Sequence, residues 1–120
     1  MNLKKREAFT QYLDQRTAEV NKLTLKLAED DRRDEADFEK IRSNIFQVIK
    51  TIFSASGRVS PYEAEQIRFF DHKLTDIEET WQKALAAAKD HNDEKRVLQE
   101  QTKLEVISEV REMIEQLWGG

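Results

Sequence analysis

Two histidines, a serine-rich turn and two tryptophans are the parts of this 120-residue chain with the means to do chemistry. His72 and Asp76 stand one helical turn apart, the spacing at which an imidazole and a carboxylate share a cation. Relative to the apolar positions Phe70 and Leu74, however, His72 points outward, so a solvated pair is expected. The di-iron pattern of helical bundles needs Glu-x-x-His on two helices. Here Phe69 stands three residues before His72 and Ala88 three before His91, so the pattern is missing. His91 falls at an expected helix C-terminus, where a partly positive ring is favourable. The chain has no cysteine, which excludes disulfides, thiolate metal sites and a cysteine nucleophile.

Ser54, Ser56 and Ser60 cluster in one turn, but a nucleophilic serine needs a histidine and an orienting acid beside it. Neither histidine is brought there by the spacing, and no Gly-x-Ser-x-Gly occurs, so cap and turn duty is expected. Arg58 with Ser60 is a candidate anion site, because a helix start offers free backbone N–H groups. The glycine pattern of a phosphate loop is absent. The basic clusters Lys4-Lys5-Arg6 and Arg32-Arg33 are short, and no aromatic side chains interleave them for base stacking. Nucleic acid is therefore not an expected partner, and no cofactor or metal is implied.

Two apolar groups remain. Trp118, with Leu117 and Met113 on the same last turns, either folds back on the core or offers a partner an aromatic anchor. Trp81 is followed by Ala84 and Ala88 at helical spacing, and this large-to-small contrast marks a candidate pocket.

Helices must position all of these. The stretch Ser56-Gly57-Arg58-Val59-Ser60-Pro61 holds the only proline and the only glycine outside the C-terminal pair, so a hairpin turn is placed at 54–60. Gly57 is expected in the left-handed conformation that ends a helix, with Ser60 as N-cap, Pro61 at the first helical position and Glu63 closing a capping box. Before it, Phe9, Leu13, Val20, Leu23 and Leu27 form a stripe interrupted at Arg16. Next, Phe38, Ile41, Ile45, Val48 and Ile52 follow a 3-4 heptad spacing, with Phe46, Ile49 and Phe53 as a second row. Two rows make a face wide enough for two neighbours, so this helix is expected to be central. Ile67, Phe70, Leu74, Ile77, Trp81, Ala84 and Ala88 give the cleanest seam, and Val97, Leu104, Val106, Ile107, Val110, Met113, Ile114, Leu117 and Trp118 another wide face.

Softer breaks are expected near 30–34, with Asp34 as N-cap, and near 90–93, with Asn92 ending one helix and Asp93 starting the next. The expected fold is all-α, an antiparallel up-down-up-down four-helix bundle in a single domain spanning 1–120. The alternative keeps both soft breaks helical, giving a long two-helix hairpin that dimerises. In size and shape that hairpin resembles the small secreted helical hairpins built on a Trp-x-Gly turn. The turn here reads Phe53-Ser54-Ala55-Ser56-Gly57 without that motif.

Composition narrows the function classes. The net charge is −4, against a polyanionic partner, and it is divided as +1 up to Gly57 and −5 after it, which suits packing of the two halves. No apolar run approaches a membrane span, and no apolar stretch follows the basic N-terminus, so the cytoplasm is the expected compartment. Lacking a catalytic set, the chain reads as a non-enzymatic helical interaction or structural protein, self-associating as a dimer or docking a partner helix. The alternative is a small-molecule-binding bundle with its pocket near Trp81 and Ala84–Ala88. The Gly119-Gly120 end reads as a flexible stop.

Overall fold

The computed structural model describes residues 3–119, so Gly120 and Met1-Asn2 of the N-terminal basic start lie outside the described residues. Four helices follow one another: α1 (Leu3–Glu29), α2 (Arg33–Ser56), α3 (Glu63–Asp90) and α4 (Glu94–Trp118). Their lengths give rods of about 36–42 Å at 1.5 Å per residue, in keeping with a long dimension of 47 Å. No helix among the described residues is long and apolar enough to cross a membrane.

Pairings along the rods set the directions. Arg6 meets Ser56, Asp14 meets Lys50 and Asn21 meets Ser43, so α1 and α2 run antiparallel. Trp118 meets Glu63, and Arg111 meets Asp71 and Thr75, so α3 and α4 do too. The expected up-down-up-down four-helix bundle is the fold. α2 touches the other three helices, as its two apolar rows require, while the α1 and α3 backbones lie diagonally apart. The second row of α2 is the deeper one: Phe46, Ile49 and Phe53 are fully buried, whereas in the heptad row only Ile45 is buried and Phe38, Ile41, Val48 and Ile52 are half-buried.

Both soft breaks are real turns, so the long hairpin does not form. Asp31 and Asn92 each take a left-handed backbone, with φ of 60° and 54°. Asn92 thus ends α3 as expected, and the Asp93 carboxylate accepts the Arg96 N–H at 3.1 Å as a side-chain N-cap. The expected cap at Asp34 is displaced: α2 begins at Arg33 and Arg32 stands in the cap position, because Asp31 has already reversed the chain.

The middle turn also departs from expectation. It runs from Gly57 to Tyr62, and Gly57 is right-handed, with φ of −66°. Close approach explains this glycine: a Cβ there would lie 3.0 Å from an Arg6 guanidinium nitrogen. Ser60 is not the N-cap and Glu63 closes no capping box, since α3 begins at Glu63 with Tyr62 extended before it. Local bonds replace the missing turn. The Ser60 hydroxyl accepts the Tyr62 N–H, and Gln66 donates to the Ser60 carbonyl at 2.8 Å.

Candidate functional site

The pole where the chain reverses at Gly57 is closed by aromatics, one from each helix. Phe9, Phe53, Phe70 and Trp118 meet with ring centroids 4.6–6.1 Å apart, mostly edge to face. Arg6 seals the rim. Its guanidinium stacks 4.0 Å from the Phe53 ring centre and donates to the Phe53 carbonyl at 2.9 Å and the Ser56 hydroxyl at 3.1 Å. A cation here meets the negative end of α2. The Trp118 indole N–H donates to Glu63 at 2.6 Å.

A charged clamp crosses the middle of the bundle. Glu109 accepts both the Nε and an NH2 hydrogen of Arg16, at 2.9 and 3.0 Å, and the Tyr12 hydroxyl. Burial first, then the bond to Glu109, pushes the Tyr12 phenol above its usual range. The Glu109 bond holds the Arg16 guanidinium more firmly protonated than usual. This explains the interruption at Arg16, whose guanidinium lies 5.3 Å from the Phe46 ring centre. The geometry is that of a fastener between α1 and α4.

Further along α4 the core row contains an acid. Glu100 is 1% exposed, and its Oε1 accepts from Arg96 Nε at 3.0 Å and Lys103 Nζ at 3.1 Å. Its Oε2 is buried without a hydrogen-bond partner. Lys103 also lies 5.6 Å from the Trp81 ring centre, so Trp81, Lys103 and Glu100 form one group between α3 and α4. Val97, Glu100, Leu104 and Ile107 follow 3-4-3 spacing, the signal that places this acid on the core row.

The opposite pole is open. A cleft of about 510 Å³ runs between α1, α2 and α4 over Leu23, Leu27, Phe38 and Leu98. A second, of about 450 Å³, lies between the N-terminal turns of α2 and α4 over Phe38, Ile41 and Leu98. A third recess, beside Val97 and Asn92, also borders Leu98. Leu98 is 51% exposed and Leu23 42%, both large aliphatic groups at the mouth of the clefts. The cations of the first cleft are already paired: Arg32 with Glu35, and Arg42 with Glu39 and Glu105. On the second, Asp34 and Glu94 carry no ion pair among the described residues, and Asp37 reaches only Lys40 at 3.9 Å. Leu98 escapes a search for periodicity because it stands one residue off the α4 row. An exposed leucine off the row is itself the signal.

The residues singled out by sequence fall elsewhere. Trp118, Leu117 and Met113 are half-buried against the core at the closed pole. Ala88 is buried and Ala84 half-buried on α3, with Trp81 packed on the core and Lys103 near its ring. The three recesses at the open pole have other linings. Arg58 is exposed, while the Ser60 hydroxyl is taken up by Glu65 and the Tyr62 N–H. Ser56 is buried, its hydroxyl donating to the Phe53 carbonyl. His72 and Asp76 are exposed and 3.6 Å apart, and His91 Nδ1 lies 2.8 Å from the Ala87 carbonyl at the end of α3. Among the described residues no group of three or more His, Asp or Glu is placed to hold a metal.

Fold and site define the class: an all-α four-helix bundle sealed at one pole and recessed at the other. No family model matches the sequence, and neither the curated proteins nor the solved structures contain a match to it.

Proposed function

We propose that this protein is a non-enzymatic helical interaction module whose docking surface is the open pole. The observation that carries the reading is Leu98, a half-exposed leucine bordering three recesses of the four-helix bundle. Exposed aliphatic groups over a concave floor favour removal from water by a partner, at about 25 cal/mol per Å² of apolar surface covered. Self-association, expected from the wide apolar rows, is the competing use of this pole, opposed by the like carboxylates on its rim. Both rows of α2 are covered largely within one chain.

The test is site-specific photo-crosslinking in the producing cell. A photoreactive residue at Leu98 is expected to give one discrete adduct, and the same group at the exposed Thr80 of α3 none. Equal labelling from both positions, or none from Leu98, overturns the reading.

A further inference from the structure

We infer that the groove between the N-terminal turns of α2 and α4 docks an amphipathic segment of another protein, its apolar row flanked by lysine or arginine. The inference rests on the interaction reading above and adds the chemistry of the partner. Three properties of the groove carry it. Its floor is apolar and continuous, since Phe38 and Leu98 belong to both this cleft and the neighbouring one. The two volumes, about 450 and 510 Å³, accommodate several large aliphatic side chains presented by one helical face. Its rim carries Asp34, Asp37 and Glu94 against Lys95 alone.

The charges decide the partner. Arg32 and Arg42 nearby are held by acids of this chain, so they do not offset the rim. Asp34 and Glu94 sit in the first turns of their helices, where the positive end of the helix dipole stabilises a carboxylate without a side-chain partner. Neither is drawn into an ion pair among the described residues, so both are available to a cation from outside. A second copy of this chain would bring the same carboxylates face to face, which costs free energy. A neutral apolar segment would cover the floor and leave the rim unanswered. A basic amphipathic segment satisfies both.

The probe is a helical peptide of about 18 residues with leucines on one face and lysines elsewhere. Its twin has glutamate for every lysine. Each is titrated into the isotope-labelled full chain, with amide chemical shifts as the readout. The lysine peptide is expected to move the amides of residues 34–41 and 94–99, and the glutamate twin to bind at least about tenfold more weakly. Affinity for the lysine peptide should fall between about 50 and 300 mM salt. The double variant Asp34→Asn, Glu94→Gln, with its helix content checked by circular dichroism, should lose about five- to tenfold. Equal binding of both peptides at these residues overturns the inference and leaves the interaction reading standing. So does broadening of the same amides with protein concentration alone, which makes a second copy the occupant. If neither peptide binds the groove, the inference is overturned, and the crosslink from Leu98 reports separately on the reading beneath it.

Discussion

The two poles of the bundle are built from the same four helices and end in opposite ways. At the closed pole each helix contributes an aromatic, and Phe9, Phe53, Phe70 and Trp118 fill the layer. At the open pole the buried contributions of α2 and α3 are Ala36 and Ala88, α1 buries Leu27, and Leu23 and Leu98 of α1 and α4 turn outward. Small side chains on a layer of fixed helix spacing leave recesses, and large ones close it. The polar groups follow suit. Arg6, Ser56 and Trp118 are all engaged in sealing one end, whereas Asp34 and Glu94 at the other have no ion pair among the described residues. One pole is closed by aromatic packing, and the other leaves recesses beside exposed leucines.

Deleting rings breaks the comparison most directly. Phe53 is 1% exposed, so Phe53→Ala should cost about 3–5 kcal/mol by lost transfer energy and a residual cavity. Phe38 is half-buried over the open clefts, and Phe38→Ala there should cost less than about 2 kcal/mol. Chemical denaturation of the two variants measures both, and outright unfolding of Phe53→Ala lies in the expected direction. Equal losses would mean that the open pole is packed as tightly as the closed one.

The next largest effect sharpens the comparison within α4. Glu100 sits on the core row, buried, with one oxygen unpartnered. Removing a carboxylate from water costs several kcal/mol, which its bonds to Arg96 and Lys103 offset only in part. Arg96 is half-exposed, but Lys103 is only a quarter exposed and would be stranded if Glu100 alone were removed. The triple replacement Arg96→Met, Glu100→Leu, Lys103→Met leaves no charge behind and should therefore stabilise the protein by about 1–2 kcal/mol, read as a higher denaturation midpoint. A destabilised variant would show that the Arg96–Glu100–Lys103 group holds α4 in register at the Trp81 end of α3.

Much of this was legible in the sequence, and the failures have physical causes. Repeats of three and four gave the helices, because each buries a stripe; left-handed Asn92 and N-cap Asp93 were legible because cap geometry tolerates few residue types. The Ser60 cap was misread. Its hydroxyl does accept a backbone N–H, that of Tyr62, and donates to the Glu65 carboxylate, but Gln66 holds the Ser60 carbonyl and regular helix starts only at Glu63. The site was harder still. Periodicity finds what is buried, and the proposed docking surface is made of what is not: Leu98 lies off the row, and the recesses beside it exist only once α1, α2 and α4 converge.

The smallest effects compare the turns of the two poles. Asp93 accepts the Arg96 N–H, so Asp93→Ala removes a working cap and should cost about 1 kcal/mol. Ser60 stands two residues outside its cap position, and its hydroxyl bonds only the Tyr62 N–H and the Glu65 carboxylate, on an exposed turn. Ser60→Ala should cost about 0.5 kcal/mol, since water can replace both partners. Denaturation midpoints of the two variants decide the order. A Ser60→Ala loss as large as that of Asp93→Ala would mean that the turn at Gly57 depends on its serine. The expected order instead makes Gln66 the residue that fixes that turn, because its amide is buried and reaches the Ser60 carbonyl from inside the bundle.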